Sequence, residues 1–335
     1  MRTTNKKRKT IIIIAFLFII LFLVPAFFAY SKLAKIKVGG LDQTPSALGI
    51  DKNSFNDAIK NTVKDPENIE SNFVNILIMG IDAMKEVNDA YSADSIMIAT
   101  IDKYNKKLKL TSIMRDSLVA VEGHGDTKLK YAYSFGGPQL LVKTINQNFN
   151  MNIKNYIKVD FFDVEKIIDY LGGVQINVES AEVKILNDYQ SNISSLEGKS
   201  FIPLKKSGLQ TLNGMQAVAY SRIRYVGNYD FERTERQRRV MTEVLKKFSD
   251  KNVFELAGVA DKLLPLVETS LDKSEIIGLG SYIVLNKLTK PIQFRIPTDK
   301  TYHDYTNPKD GLYYMKWDKQ PTIDALHNFI FKAQE

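Results

Sequence analysis

The sequence predicts a layered α/β domain that follows a single transmembrane helix, and three observations support this. An uncharged apolar segment of 20 residues occupies positions 11–30. Beyond residue 71, short β-prone apolar runs alternate with helical patterns, which is typical of a sheet covered by helices. The 335-residue chain has no cysteine, which excludes disulfides, thiolate metal sites and a cysteine nucleophile.

The apolar segment 11–30 is long enough to cross a hydrocarbon core of about 30 Å, since each helical residue adds about 1.5 Å. Five basic residues precede it, so we expect residues 1–10 to be a cytoplasmic tail. The protein would then be a single-pass protein of the cell membrane, with everything after residue 30 outside the cell. A cleaved signal peptide is the alternative, but its apolar region is normally about 7–15 residues and no Ala-x-Ala site follows here.

The net charge of +8 does not indicate a nucleic-acid partner. Five of these excess positive charges come from the first nine residues, which leaves only +3 for the remainder. A nucleic-acid-binding domain is usually more basic across its folded part. The histidines His124, His303 and His327 are too scattered to build a histidine-rich metal site.

Residues 31–70 are polar and mixed, and we interpret them as an extracellular stalk with one short helix at 54–64. The folded extracellular domain is then expected at 71–335. Its first feature is the apolar run 73–79, which ends at Gly80 and predicts a buried strand.

Two further strands are predicted at 95–101 and 107–113, joined by a polar turn. An antiparallel hairpin centred on this turn pairs residues whose numbers add up to 209. Asp94 then faces Arg115 at the open end of the hairpin.

The remaining patterns alternate between helix and strand. They predict, in chain order, a helix opened by 136–138, a strand at 155–159, a helix at 161–171 capped by Asp160, a strand at 174–178, a helix at 214–220, a long helix capped by Asp230, and late strands at 291–296 and 311–314.

The long helix after Asp230 carries charge on its apolar side. At 100° per residue, its buried stripe comprises Val240, Met241, Val244, Leu245 and Phe248. Arg233 and Gln237 fall within that stripe. A buried arginine needs an anion or a fixed carboxylate, although an internal salt bridge or a solvated head group would also satisfy it. Arg222 and Arg224 lie a short loop upstream, where either alone could be a solvated helix end.

Asp82 follows the first predicted strand, at an end where α/β folds tend to place ligand groups. Together with Asp94 and Arg115 it would suit a divalent cation that bridges phosphate oxygens. A rim salt bridge with a turn-forming aspartate is the simpler alternative.

The stretch 73–248 resembles the LytR-CpsA-Psr family of membrane-anchored cell-wall ligases from Gram-positive bacteria. The motifs that carry the resemblance are NILIMGID (75–82), ADS (93–95), SIMRDS (112–117), KLKYAYSFGG (128–137), DYLGGVQINV (169–178), LNGMQAVAYSRIRY (212–225) and DFERTERQRRV (230–240). The resemblance implies an α/β/α sandwich around a central mixed sheet. It also implies transfer of a glycopolymer, such as a teichoic acid or a capsular polysaccharide, from a polyprenyl-pyrophosphate carrier to peptidoglycan.

The resemblance also implies the members of a charged site. On that basis, we assign Asp82 and Asp94 to Mg²⁺, and Asp230, Asp94 and Arg233 to catalysis, with Asp230 as the first candidate for the general base. The side chains expected to bind the pyrophosphate are Arg115, Lys128, Arg222, Arg224, Arg233 and Gln237. Two alternatives remain open at this point. One is a pyrophosphatase acting on the same lipid-linked polymer, and the other is a non-enzymatic surface protein with a polymer-binding or regulatory role.

Overall fold

The computed structural model describes residues 35–60, 62, 68–87, 90–251, 255, 262–308 and 311–332. None of the helices within these ranges has the length and apolarity of a membrane span. The predicted cytoplasmic tail and the predicted transmembrane helix at 11–30 lie outside the described residues.

The described ranges contain strands and helices in alternation. The strands are β1 Lys37–Val38, β2 Phe73–Val87, β3 Ala90–Asp102, β4 Lys107–Ile113, β5 Leu118–Val121, β6 Gly125–Lys128, β7 Asn155–Asp160, β8 Val174–Val178, β9 Gly208–Leu212, β10 Glu268–Thr269, β11 Ile292–Ile296, β12 Tyr302–Thr306 and β13 Tyr313–Trp317. The helices are α1 Lys52–Ile59, α2 Ile69–Asn72, α3 Leu129–Phe149, α4 Phe161–Tyr170, α5 Ser180–Glu197, α6 Gly214–Arg222, α7 Tyr229–Ser249, α8 Lys273–Leu285 and α9 Lys319–Phe331.

The central sheet is mixed and has the strand order β1-β10-β7-β2-β3-β4-β11. β2 pairs with β7 in parallel and with β3 in antiparallel orientation, while β11 adds to β4 in parallel. Three separate two-stranded ribbons accompany it, formed by β5 and β6, by β8 and β9, and by β12 and β13. The predicted α/β class with a central mixed sheet is therefore confirmed.

Helices cover both faces of this sheet because β2 buries alternate residues on opposite sides. Leu77 and Met79 belong to a core that includes buried residues of α3 and α9. Ile76 belongs to a second core, which contains partly buried apolar residues of α7 and α8. A sheet buried on both faces is what the nearly continuous apolar run of β2 predicts.

The predicted hairpin of β3 and β4 is confirmed in its register. Met97 pairs with Ser112 and Asp102 pairs with Lys107, so each pair adds up to 209. The polar turn at 103–106 fixes this register, since its length leaves little freedom in how the strands align. β2, by contrast, is longer than predicted, because it continues past Met79 to Val87.

Two helix starts differ from the sequence-based expectation. α3 begins at Leu129, and the predicted start at 136–138 is a break inside it, where Gly137 adopts a positive φ of 60°. α7 begins at Tyr229, and the residue at its N-cap is Asn228. The prediction that Asp230 caps this helix is therefore wrong, whereas Asp160 does cap α4 by accepting a 2.8 Å hydrogen bond from the Asp163 backbone NH.

Residues 37–60 pack against the domain, which corrects the predicted stalk and its boundary at residue 71. Leu48, Phe55 and Ile59 are buried in the core beneath α3 and α9. The predicted helix at 54–64 appears as α1, and the backbone NH of Gly39 donates a 2.9 Å hydrogen bond to Thr269 at the sheet edge. The isolated apolar residues of this otherwise polar segment therefore belong to the hydrophobic core.

Candidate active site

A β-bulge in β3 positions the first carboxylate of the site. Gly80 of β2 pairs with Ser95, but the next residue, Ile81, pairs with Ala93, so Asp94 has no partner in the register. The extra residue shifts the alternation of the strand, and Ala93 joins the same core as Ile96. Asp94 is thereby displaced from the core face that regular alternation would give it, as bulges beside functional sites commonly do.

Three guanidinium groups surround Asp94. Arg115 donates a charge-assisted hydrogen bond from Nη1 to Asp94 Oδ1, in agreement with the hairpin register. On the other oxygen, Asp94 Oδ2 lies 3.7 Å from Arg224 Nη2 and 3.9 Å from Arg233 Nη1. Burial raises the pKa of Asp94, but the positive charges of Arg115, Arg233 and Lys130 outweigh burial and hold this pKa below its ordinary value.

Asp82 forms a second acid–base contact. Arg222, the last residue of α6, places Nη2 3.6 Å from Asp82 Oδ2. Its guanidinium carbon also lies 5.4 Å from the centre of the Phe161 ring, which orients the side chain by a cation–π contact. Asp82 itself is only 4% exposed.

The Asp230 side chain, in the first turn of α7, lies between Arg224 of the preceding loop and Arg233 of the same helix. Its Oδ1 lies 3.5 Å from Arg224 Nε and 3.2 Å from Arg233 Nε. The Asp230 side chain is 24% exposed, against 5% for Asp82 and 7% for Asp94. Among the predicted carboxylates, Asp230 is therefore the one that solvent or a second substrate reaches most readily.

Arg233 is the most deeply buried arginine of the cluster, at 3% exposure. Burial, together with the positive charge of Arg115, lowers the pKa of Arg233 to about 10. Within the described residues its Nε has no well-oriented hydrogen bond, although Asp230 is close. A buried guanidinium beside other guanidiniums is unfavourable unless an anion joins them.

The sequence analysis missed Asp116, which is 5% exposed. Asp116 Oδ2 lies 3.6 Å from Arg115 Nε, and Asp116 Oδ1 lies 3.1 Å from Lys128 Nζ. Burial raises the pKa of Asp116, but Arg115 and Lys128 outweigh burial and the pKa is lowered. The available signal was its position directly after Arg115 in the SIMRDS motif.

Lys130, also missed, is buried at 6% exposure, and its charge acts on both Asp94 and Asp116. It is carried by the first turn of α3, which begins earlier than predicted. The early start of α3 therefore adds a cation to the site.

Gln237 lies one turn beyond Arg233 on α7 and is buried. Among the described residues, no hydrogen bond or ion pair links Gln237 to the cluster. The neighbouring Arg236 is buried by a structural contact, because its Nε donates a 2.6 Å hydrogen bond to Glu182 of α5. Burial of an arginine on α7 thus has two different causes.

The described residues contain no group of three or more histidine, cysteine, aspartate or glutamate side chains that could hold a metal ion. Mg²⁺ is often bound through only one or two carboxylates, with phosphate oxygens and water completing its shell. Asp82 and Asp94, on neighbouring strands, satisfy this smaller requirement. The residues present therefore fit Mg²⁺ that arrives together with a phosphorylated substrate.

Several known proteins resemble this chain in sequence and fold. A model of the LytR_cpsA_psr family matches residues 42–328. The regulatory protein MsrR of Staphylococcus aureus is 32% identical over 287 residues, which cover 85% of this chain and 80% of that protein. The polyisoprenyl-teichoic acid–peptidoglycan teichoic acid transferase TagT of Bacillus subtilis is 29% identical over 249 residues, covering 73% and 72% of the two chains. A structure of TagT bound to LI-WTA has 25% identity and a TM-score of 0.61, and covers 77% of this chain and 91% of that one.

Proposed function

The chain belongs to the LytR_cpsA_psr family, and from this premise we propose that it is a membrane-anchored phosphotransferase that attaches an anionic glycopolymer to peptidoglycan. It is a transferase, in keeping with the relatives TagT and TagV, which are named as teichoic acid transferases. The donor in this proposal is a teichoic acid or capsular-type polysaccharide linked to a polyprenyl pyrophosphate. The enzyme acts at the outer face of the cell membrane.

The observation that carries the proposal is the excess of positive over negative charge in a largely buried cluster of side chains. Among the described residues, six cationic side chains meet four carboxylates at the strand ends. These residues are Arg115, Lys128, Lys130, Arg222, Arg224 and Arg233 with Asp82, Asp94, Asp116 and Asp230. A diphosphate would compensate the excess, and planar guanidinium groups can each bind two phosphate oxygens.

The proposed reaction is the attack of a peptidoglycan hydroxyl on the phosphorus that carries the glycopolymer. A new P–O bond forms to the acceptor oxygen, and the P–O bond to the second phosphate breaks. The electron pair leaves with the polyprenyl phosphate. Catalysis of such a step is mainly positioning and neutralisation of charge on nonbridging oxygens, which is the role we give to Arg115, Arg222, Arg224, Arg233 and Lys128. The neutral Gln237 amide would position a phosphate oxygen by donating a hydrogen bond.

The acceptor hydroxyl must lose its proton, and Asp230 is the best-placed carboxylate to take it. The Asp230 side chain is 24% exposed, which lets an acceptor hydroxyl approach the carboxylate. Asp94 is the weaker candidate, because it is enclosed by guanidiniums and its lowered pKa makes it a poorer base. Asp94 instead holds the three arginines in place.

Asp82 and Asp94 would hold Mg²⁺ when the substrate brings its phosphate oxygens. When bound, this ion would neutralise negative charge on the diphosphate as a Lewis acid. Around it, Arg222 keeps Asp82 oriented and Arg115 keeps Asp94 oriented.

The sheet face beneath α7 and α8 is the proposed groove for the prenyl chain. None of the thirteen residues of α8 is buried, although the helix is rich in apolar side chains. Ile276, Leu279 and Ile283 are only partly buried against the second core. An apolar surface that its own chain covers so loosely supports binding of a hydrocarbon.

The test uses the full chain in lipid nanodiscs, a lipid-linked donor and purified glycan strands. We expect polymer to become covalently attached to the glycan. Release of free phosphorylated polymer alone would show a pyrophosphatase. If the protein bound the polymer with an affinity that falls gradually as salt is added, and formed no product, it would be a binding protein. Arg233→Ala should reduce transfer by about 10²–10³-fold, whereas Lys246→Ala, a matched control with a half-exposed side chain on the same helix, should not.

A further inference from the structure

A cavity of about 350 Å³ adjoins the candidate active site and shares Asp82 with it. It lies where the pairing of β2 with β7 stops, above the first turn of α4 and beside β10 and the edge strand β1. Its volume is near the lower end of the usual range for small-ligand sites, which is about 300–1,000 Å³. Apart from Asp82, the proposed chemistry of phosphate transfer uses none of the residues that line this cavity.

Aromatic side chains form part of its wall. Tyr91, Tyr133 and Phe162 line the cavity, and each keeps part of its surface accessible. Tyr91 is the most exposed of the three, at 43%. Partly exposed aromatic side chains beside a cavity are suited to contacts with the apolar faces of a ligand.

Charged side chains form much of the rest of the wall, and other residues hold them in place. Lys158 Nζ lies 2.5 Å from Glu268 Oε2, and the Tyr156 hydroxyl donates a 2.7 Å hydrogen bond to Glu268 Oε1. Asp160 is fixed by its role as the cap of α4. Carboxylates and ammonium groups retain further hydrogen-bonding capacity beyond one partner, so the wall presents both acceptors and donors.

We propose that this cavity binds one pyranose ring of a saccharide substrate. This rests on the proposed function, because the ring would lie next to the reacting phosphate through the shared Asp82. A sugar has apolar C–H faces for the aromatic side chains and hydroxyls for the charged ones. A prenyl chain fits poorly, because six of the twelve lining residues carry charge.

Two substrates could supply such a ring. One is the acceptor glycan, and the other is the sugar of the donor that is attached to the diphosphate. The experiment separates them by measuring KM for donor and acceptor independently, with the full chain in nanodiscs. It also measures binding of the soluble disaccharide N-acetylglucosaminyl-N-acetylmuramic acid, which requires no transfer.

The lead variant is Tyr91→Ala, because an exposed tyrosine can be removed without opening the core. The matched control is Tyr104→Ala, whose side chain is 65% exposed in the turn after the opposite end of β3. Glu268→Gln serves as a second variant that keeps the size of the side chain.

For Tyr91→Ala we expect KM for one saccharide substrate to rise about five- to tenfold, as for the loss of one aromatic contact, while kcat stays within about threefold. A rise for the acceptor together with weaker disaccharide binding identifies the acceptor ring. A rise for the donor alone identifies the donor sugar.

The proposal is overturned if both KM values and disaccharide binding are unchanged in Tyr91→Ala and Glu268→Gln. It is also overturned if these variants weaken binding of farnesyl pyrophosphate, a lipid without a sugar. The disaccharide measurement keeps the two hypotheses apart. Absence of transfer by the unaltered chain would refute the proposed function, whereas loss of disaccharide binding in the variants would still support the saccharide site.

Discussion

At the scale of single residues, Arg233 illustrates how a buried charge can serve function at the expense of stability. Its pKa is lowered to about 10, which means that the fold disfavours the charged form relative to water. A structural arginine such as Arg236 donates a 2.6 Å hydrogen bond to Glu182, whereas Arg233 Nε lies 3.2 Å from Asp230 without a well-oriented hydrogen bond. Arg233 therefore behaves as a group that awaits an anion.

We predict that Arg233→Met separates activity from stability. The substitution should reduce transfer by about 10²–10³-fold, as for the loss of one electrostatic contact to a transition state. Its melting temperature should be equal to or higher than that of the unaltered chain, because an apolar side chain of similar length replaces a desolvated charge. Thermal unfolding and a transfer assay on the same sample check this. A melting temperature several degrees lower would make Arg233 a structural residue.

Asp230 gives a second prediction at this scale. Asp230→Asn should lower kcat by about 10²–10⁴-fold, the usual contribution of a general base, while donor binding is retained. The control is Asp188→Asn on α5, whose side chain is 58% exposed. If Asp230→Asn kept activity within a few-fold, its role would be limited to positioning Arg224 and Arg233.

At the scale of elements, α4, α5 and α6 meet around a pair of carboxylates. Burial and the neighbouring Glu197 raise the pKa of Glu165 to about 7. α4 and α6 approach closely here: a Cβ atom added to Gly214 of α6 would lie only 2.1 Å from the carbonyl oxygen of Glu165 in α4. This junction supports α4, whose first turn borders the active site.

The raised pKa of Glu165 predicts a pH dependence of stability. The folded state binds this proton more tightly than the unfolded chain, whose pKa is near 4.5, so the free energy of unfolding should fall as pH rises from about 4.5 to 7. Glu165→Gln should remove this part of the decline and raise the melting temperature at pH 7.5. Melting curves across this range test it, with Glu70→Gln, whose side chain is 59% exposed, as control. Parallel pH profiles for Glu165→Gln and the unaltered chain would contradict the prediction.

At the scale of the whole molecule, residues 37–60 belong to the domain instead of forming the predicted stalk. The Phe55 ring packs edge-on against Phe331, at 5.7 Å between ring centres, and tilted against His327 at 6.1 Å. The beginning and the end of the domain are thereby joined beneath α3. This contact places the start of the domain earlier in the chain than the sequence indicates.

We predict that Phe55→Ala destabilises the domain by about 3–5 kcal/mol, the usual effect of removing a buried aromatic side chain. Denaturant unfolding of a soluble version that starts at residue 35 measures this. Leu209→Ala, at a site 74% exposed, should change stability little. An equally small effect for Phe55→Ala would restore the stalk interpretation.

The sequence by itself determined features that depend on local periodicity. The register of β3 and β4 followed from two apolar strands and a short turn, because a slip by one residue would expose the buried face. The inward position of Arg233 followed from the helical period of α7.

Only the tertiary structure decided which distant residues meet. The bulge at Asp94, the cation Lys130 on the early turn of α3 and the packing of Phe55 have no local signature, because each depends on contacts with segments far along the chain. The cluster of arginines around Asp94 exists because a strand bulge, the end of α6 and the start of α7 converge there. Local sequence patterns determine which side of each helix or strand is buried. The packing of these elements against one another determines which residues come together in the site.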